Sequence, residues 1–217
     1  MASIRQRIRE KVPFSTELYE YSTSKWKMRP TRSKVTAIVN SGQPIKLDIG
    51  GADKGKNGWI SVDVTDQCDI YWDLRLGIPF PSSSVDQVYS SHLFEHLTFK
   101  EGQALLREVL RVLHPGGSFS ICVPNARIYI EGYLGIREVP QEFYGWTPAF
   151  NSTTAIDAVN YVAYMDGEHK YMFDQENLLR VLELAGFAQV TSREMDPHID
   201  RPERDYESLY AVGIKPS

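Results

Sequence analysis

The sequence predicts an α/β fold with a doubly wound, mostly parallel seven-stranded sheet, and three observations carry that prediction. Short apolar or alternating runs recur between helical patterns over most of the 217 residues. The first runs end in small or acidic residues: Gly50-Gly51, then Asp63, then Asp73. Strands that alternate with helices form parallel sheets, and ligands bind beyond the carboxyl ends of such strands.

Pro44–Ile49 is a short apolar strand closed by Gly50-Gly51. Trp59–Val64 alternates and reads as the second strand, Cys68–Asp73 as the third and Ser84–Ser90 as the fourth. Between Glu101 and Leu113 the apolar residues fall at 105, 106, 109, 110 and 113, which is helical spacing. Pro115-Gly116-Gly117 is a stop signal for that helix, and Ser118–Val123 follows as the fifth strand. Asp174–Ala185 reads as a helix capped by Asp174 and by Gly186. Phe187–Arg193 and Ser208–Ile214 form a closing strand pair. Residues 124–170 show no regular period.

Composition excludes several classes. A 42% hydrophobic and 24% charged chain is neither disordered nor fibrous. The net charge of −4 gives no overall pull toward nucleic acid. Two cysteines, Cys68 and Cys122, form no CxxC pair, so a reducing cytoplasm is the expected location. No apolar run reaches the ~20 residues of a membrane span, and no signal peptide is visible. Residues 1–34 carry nine Arg and Lys side chains and read as a basic arm with a short helix; 35–217 form the main domain. Six acids gather between Glu194 and Glu207.

Asp48, Gly50 and Gly51 place small residues where a backbone meets a ligand closely. Asp63 is placed to accept from ribose hydroxyls and Asp73 from an adenine amino group, with the Leu74 amide donating to the ring. Three acids in order on consecutive strands fit an adenosine. The dinucleotide fingerprint is missing, since Ala52-Asp53-Lys54 follows the glycines, so a pyrophosphate has no cradle.

LDIGG, GWISVDV, DIYWDLRLGIPFPSSSVDQVYSSHLFEHL and LREVLRVLHPGGSFSICVPN, followed by HKYMFD, resemble the successive motifs of the class I S-adenosylmethionine-dependent methyltransferases, type 11-like. The resemblance runs from about Ile45 to Asn125 and resumes from His169 to Phe187. It implies a Rossmann-like methyltransferase fold with S-adenosylmethionine as cofactor. It also implies that Asp48 and Gly50 lie near the methionine moiety, and that Asp63 holds the ribose and Asp73 and Leu74 the adenine. Ser91 and His92 would face the amino-acid end. Ala52 departs from the family, which usually has glycine there.

His92-Leu93-Phe94-Glu95-His96 follows the fourth strand. On a helix, 92, 95 and 96 share a face suited to a divalent metal. HxxEH is also a zinc-peptidase signature, with Glu95 as base. Within the methyltransferases the string is similar to the ExxEH of small-RNA 3′-end 2′-O-methyltransferases and ubiquinone-biosynthesis O-methyltransferases, both magnesium-dependent. That similarity implies Glu95, His96 and the later His169 as ligands and catalytic groups, with His92 in place of the first glutamate. Imidazoles shift the preference from magnesium toward manganese or zinc.

The segment 125–170 is expected to form an acceptor lid. Ten aromatics fall in residues 126–173 and suit stacking on sugar rings, with Glu131, Glu138, Glu142 and Asp166 accepting from hydroxyls. The same rings equally suit the lid's own core. The first-choice activity is metal-assisted O-methylation of a vicinal diol on a small-molecule or oligosaccharide acceptor, of the methylmannoside type. An RNA 3′ end, a small phenol or quinone precursor, and a non-catalytic cofactor-binding module are the alternatives. A homodimer is compatible with this reading.

Overall fold

The computed structural model describes residues 27–146, 149 and 153–217. Most of the basic arm lies outside the described residues. Its last residues belong to the domain: helix α1 (Thr31–Asn40) buries Thr31 and Val35, and the Thr31 hydroxyl donates to the Tyr71 carbonyl at 3.0 Å.

Strands β1 (Lys46–Ile49), β2 (Trp59–Asp63), β3 (Ile70–Tyr71), β4 (Val85–Ser91), β5 (Leu113–Pro124), β6 (Ala188–Ser192) and β7 (Ser208–Ile214) build one seven-stranded sheet. Their order is β3-β2-β1-β4-β5-β7-β6. The first five are parallel, and β7 runs antiparallel to both β5 and β6. The doubly wound expectation holds. The third strand is shorter than its sequence run, because only Ile70 and Tyr71 pair with β2.

Helices α2 (Phe99–Val112), α3 (Ala126–Tyr133), α4 (Ile156–Tyr164) and α5 (Gln175–Ala185) complete the chain. In α2 the side chains of Leu105, Leu106, Val109 and Val112 are buried on one stripe, and Thr98 with Glu101 forms a capping box. Pro115-Gly116-Gly117 lies just beyond the end of α2, as a stop signal should. The helix stops at Val112, and β5 starts at Leu113, with a register shift between Val85 and Gln87 that absorbs the turn-like residues. For α5, Asp174 accepts from the Asn177 N–H and Gly186 takes φ +108°, as the caps predict.

The main core lies between the sheet and its helices, with Leu47, Ile49, Val88, Phe119, Ile121 and Leu182 almost fully buried. Burial of this kind stabilises by roughly 25 cal/mol per Å² of apolar surface. A second, smaller core lies in the segment without sequence period. There α3 and α4 enclose Ile128, Tyr129, Tyr161 and Val162. Among the described residues no helix is long and apolar enough to cross a membrane.

Candidate functional site

The carboxyl ends of β1, β2 and β4 continue as ligand-facing loops. Gly50 N–H donates to Val62 at 2.9 Å and then turns with φ +83°. A side chain at Gly51 would place its Cβ 2.4 Å from Asp48 Oδ2, so only glycine lets that carboxylate fold over the loop. Asp48, Gly50, Gly51, Ser91 and His92 line one cavity of about 240 Å³. Burial pushes the Asp48 carboxyl up to about 6, against the pull of Arg201. Asp63 stands near enough to add to that rise; burial raises its own pKa, and it accepts from the Thr65 N–H at 3.0 Å.

Asp73 departs from expectation. Both its oxygens take the Arg75 guanidinium, at 3.0 and 2.8 Å, and Oδ1 also accepts the Arg75 N–H. This bidentate pair holds its pKa below the usual carboxylate range. The adenine contact expected of Asp73 therefore competes with an ion pair made two residues away. Leu74 is buried beside it and opens a 3₁₀ turn.

Beyond β4 the string HLFEH is not helical throughout. His92 has φ +50°, and only Phe94–His96 make a single 3₁₀ turn before α2 begins. The paired histidines of a helical zinc-peptidase motif are thus absent, which removes that reading. The same geometry still converges the side chains. The Glu95 carbonyl accepts from the Lys170 and Tyr171 N–H groups, at 2.7 and 3.2 Å. Met165 and Asp166 adopt left-handed conformations just before this return, at φ 41° and 55°. His169 is thereby delivered beside Glu95 and His96.

Glu95, His96 and His169 offer ligand atoms within 4.8 Å of one another. Glu95 is 2% exposed, and neither carboxylate oxygen has a hydrogen-bond partner. Burial pushes its pKa up to about 8, against the pull of the Arg204 charge. The histidine tautomers follow from their partners. His96 Nδ1 meets the Glu168 carbonyl at 3.0 Å, and His169 Nδ1 meets that of Val162 at 2.8 Å. Carbonyls only accept, so both rings carry their proton on Nδ1 and leave the Nε2 lone pair open. The Ser208 hydroxyl donates to Arg204 at 2.6 Å and so accepts from His92 Nε2 at 2.9 Å. The open nitrogen of His92 is then Nδ1, 3.5 Å from Glu95 Oε1. Burial holds His92 down to about 3 and lowers His169 as well, so both are neutral at neutral pH.

This cluster sits at the edge of a second cavity of about 490 Å³, which residues of the 125–170 segment help to line. Tyr129 and Tyr161 belong to the smaller core and also line this cavity, as do the more exposed Trp146 and, from outside the 126–173 segment, Tyr206. The cavity carboxylates are not those read from the lid. Glu131 pairs with Arg127, and Glu138 lines another cavity. Glu168, Glu203 and Glu207 line this one instead. Glu203 and Glu207 lie in the acidic stretch, whose composition marked it without showing where it folds.

Residues 58–121 match a family model described as a methyltransferase domain. That match likens this segment, less than half of the 217 residues, to a methyltransferase domain. Among solved structures it is similar to the Burkholderia thailandensis 1,6-didemethyltoxoflavin-N1-methyltransferase, with 15% identity over 100% of this chain and 92% of that chain and a TM-score of 0.50. A S-adenosylmethionine-dependent methyltransferase from Archaeoglobus fulgidus is 19% identical over 92% of this chain and 99% of that one, with a TM-score of 0.48. No curated protein matches the sequence. The Burkholderia likeness is one of fold.

Proposed function

We propose that this domain uses S-adenosylmethionine to methylate a hydroxyl of a vicinal diol on a carbohydrate acceptor, assisted by a divalent metal. The observation that carries the reading is Glu95: a buried carboxylate with no hydrogen-bond partner, faced by three imidazole lone pairs at the mouth of a cavity. An unpartnered buried carboxylate is costly, and a cation among these donors is what would relieve it. The donor set fits such an ion: one carboxylate and the Nε2 atoms of His96 and His169, with His92 Nδ1 adjacent. Nitrogen donors favour manganese or zinc over magnesium. When bound, the ion would acidify and align two neighbouring hydroxyls.

The chain's own groups supply the rest. The Asp48 end of the smaller cavity suits the ammonium of the cofactor's amino-acid tail. The Burkholderia neighbour was solved with S-adenosylhomocysteine, which supports this assignment. The two cavities share His92 and Arg204 as lining residues, so the methyl group crosses at that partition. There the acceptor oxygen attacks the methyl carbon, the carbon–sulfur bond breaks, and the sulfonium leaves as a neutral thioether. His169 lines the acceptor cavity with its Nε2 lone pair open, and it takes the hydroxyl proton when it does not itself hold the ion. The protein's main contribution is alignment and exclusion of water. Trp146 and Tyr206 suit stacking on a sugar ring, and Glu203 and Glu207 suit its remaining hydroxyls.

The test is transfer of a labelled methyl group to glycan, RNA and phenol acceptors, with EDTA and with manganese restored. Transfer to glycans that EDTA abolishes and manganese restores is the expected result. Transfer indifferent to EDTA overturns the metal, and transfer only to RNA or phenols overturns the acceptor.

A further inference from the structure

The connection between β6 and β7 lines the smaller cavity through Ile199, Arg201 and Arg204. It is not a loose loop. Asp200 is buried at its centre, accepting from the Tyr89 hydroxyl at 2.9 Å and from the Asp196 N–H at 2.6 Å. The Arg193 guanidinium also grips Asp200 on both oxygens. Tyr89 is on β4, in register with Asp48 on β1, so this anchor ties the connection to the sheet directly beside the cofactor cavity. The next residue, Arg201, lines that cavity, and so does Arg204.

The charges on the two sides of the cavity are complementary. The sheet side offers carboxylates, Asp48 with Asp63 close by, and His92 is neutral. The permanent cations lining the cavity come from the connection, Arg201 and Arg204. A ligand whose tail carries both an ammonium and a carboxylate needs an anion on one side and a cation on the other. The two arginines are not equivalent. Arg204 also lines the acceptor cavity, where its charge pulls the carboxyl pKa values of Glu95 and Glu207 down. Arg201 does not line that cavity. It is the strongest charge felt by Asp48, and among the described residues its ion pair is a long, exposed contact of 3.9 Å with Asp53.

We infer that the β6–β7 connection is the outer wall of the cofactor site and that Arg201 binds the α-carboxylate of the cofactor's methionine tail. This rests on the adenosylmethionine reading above. The experiment is calorimetric titration of wild type and Arg201→Gln with two ligands, S-adenosylhomocysteine and its decarboxylated analogue, S-adenosyl-3-thiopropylamine. The side chain of Arg201 is half exposed, and the melting temperature of the variant should match wild type. The expected result is a loss of about tenfold or more for S-adenosylhomocysteine in the variant, with the analogue bound as in wild type. Unchanged affinity for S-adenosylhomocysteine overturns the assignment, and so does an equal loss for both ligands. If wild type binds neither ligand, the cofactor reading itself falls and this inference with it; binding by wild type with no discrimination in the variant sinks Arg201 alone.

Discussion

Replacing Glu95 with leucine should stabilise the protein while abolishing its response to metal. The carboxyl is pushed from 4.5 to about 8 by burial, so at pH 7 the fold carries a penalty of about 3 kcal/mol for holding it. Leucine removes that penalty at similar volume. It also leaves His92 Nδ1 without its 3.5 Å neighbour, a loss of about 1 kcal/mol. The backbone carbonyl of residue 95, which holds Lys170 and Tyr171, is unaffected. The net gain is about 2 kcal/mol, or about 4–8 °C in melting temperature for a domain of this size. Wild type should recover the difference when manganese is added, since a ligand at a hundred times its Kd contributes about 2.7 kcal/mol. The assay is thermal unfolding of both proteins in EDTA and in a manganese series. A variant less stable than wild type in EDTA would refute the desolvation argument. A variant whose melting temperature climbs with manganese as wild type's does would refute the ligand assignment.

Two further outcomes follow from the cofactor side. Gly51→Ala forces Asp48 to move, because the new Cβ meets Oδ2 at 2.4 Å; affinity for S-adenosylhomocysteine should fall about tenfold by calorimetry, with little change in melting temperature. Binding at wild-type strength would show that the Asp48 position is immaterial. Asp48 itself has a folded pKa raised to about 6, so its contribution to stability is fully present below 3.8 and is lost as pH rises through 6. Ligand binding runs the opposite way, since the ionised form attracts the ammonium between Arg201 and Asp63. Affinity should drop by up to about tenfold per unit below pH 6 in wild type. Asp48→Asn should give a flat profile, and a persisting slope in that variant would assign the titration elsewhere.

The alternation of strands and helices, the Gly-Gly turn that ends β1 and the caps of α5 were legible from residue order. Each depends on a local signal: strand period, a Gly-Gly turn at a strand end, caps at Asp174 and Gly186. Local signals survive in one dimension because their partners lie within a few residues. The errors have the same origin. The third strand reads as Cys68–Asp73, but only Ile70 and Tyr71 pair with β2. Residues 124–170 show no period because α3 and α4 bury their faces against each other's aromatics rather than on the sheet, so no single stripe is needed.

By itself the sequence determined the sheet, the acids at its strand ends and the residue types able to hold a metal. Only the tertiary structure decided which atoms face one another. The open nitrogens of the three histidines depend on Ser208, Glu168 and Val162, which lie up to 116 residues away in the chain. The segment proposed as the wall of the cofactor cavity has an acidic composition that says nothing of its place. Asp200 locks it to Tyr89 on β4, 111 residues earlier, and a hydrogen bond between such distant residues exists only once the chain has folded.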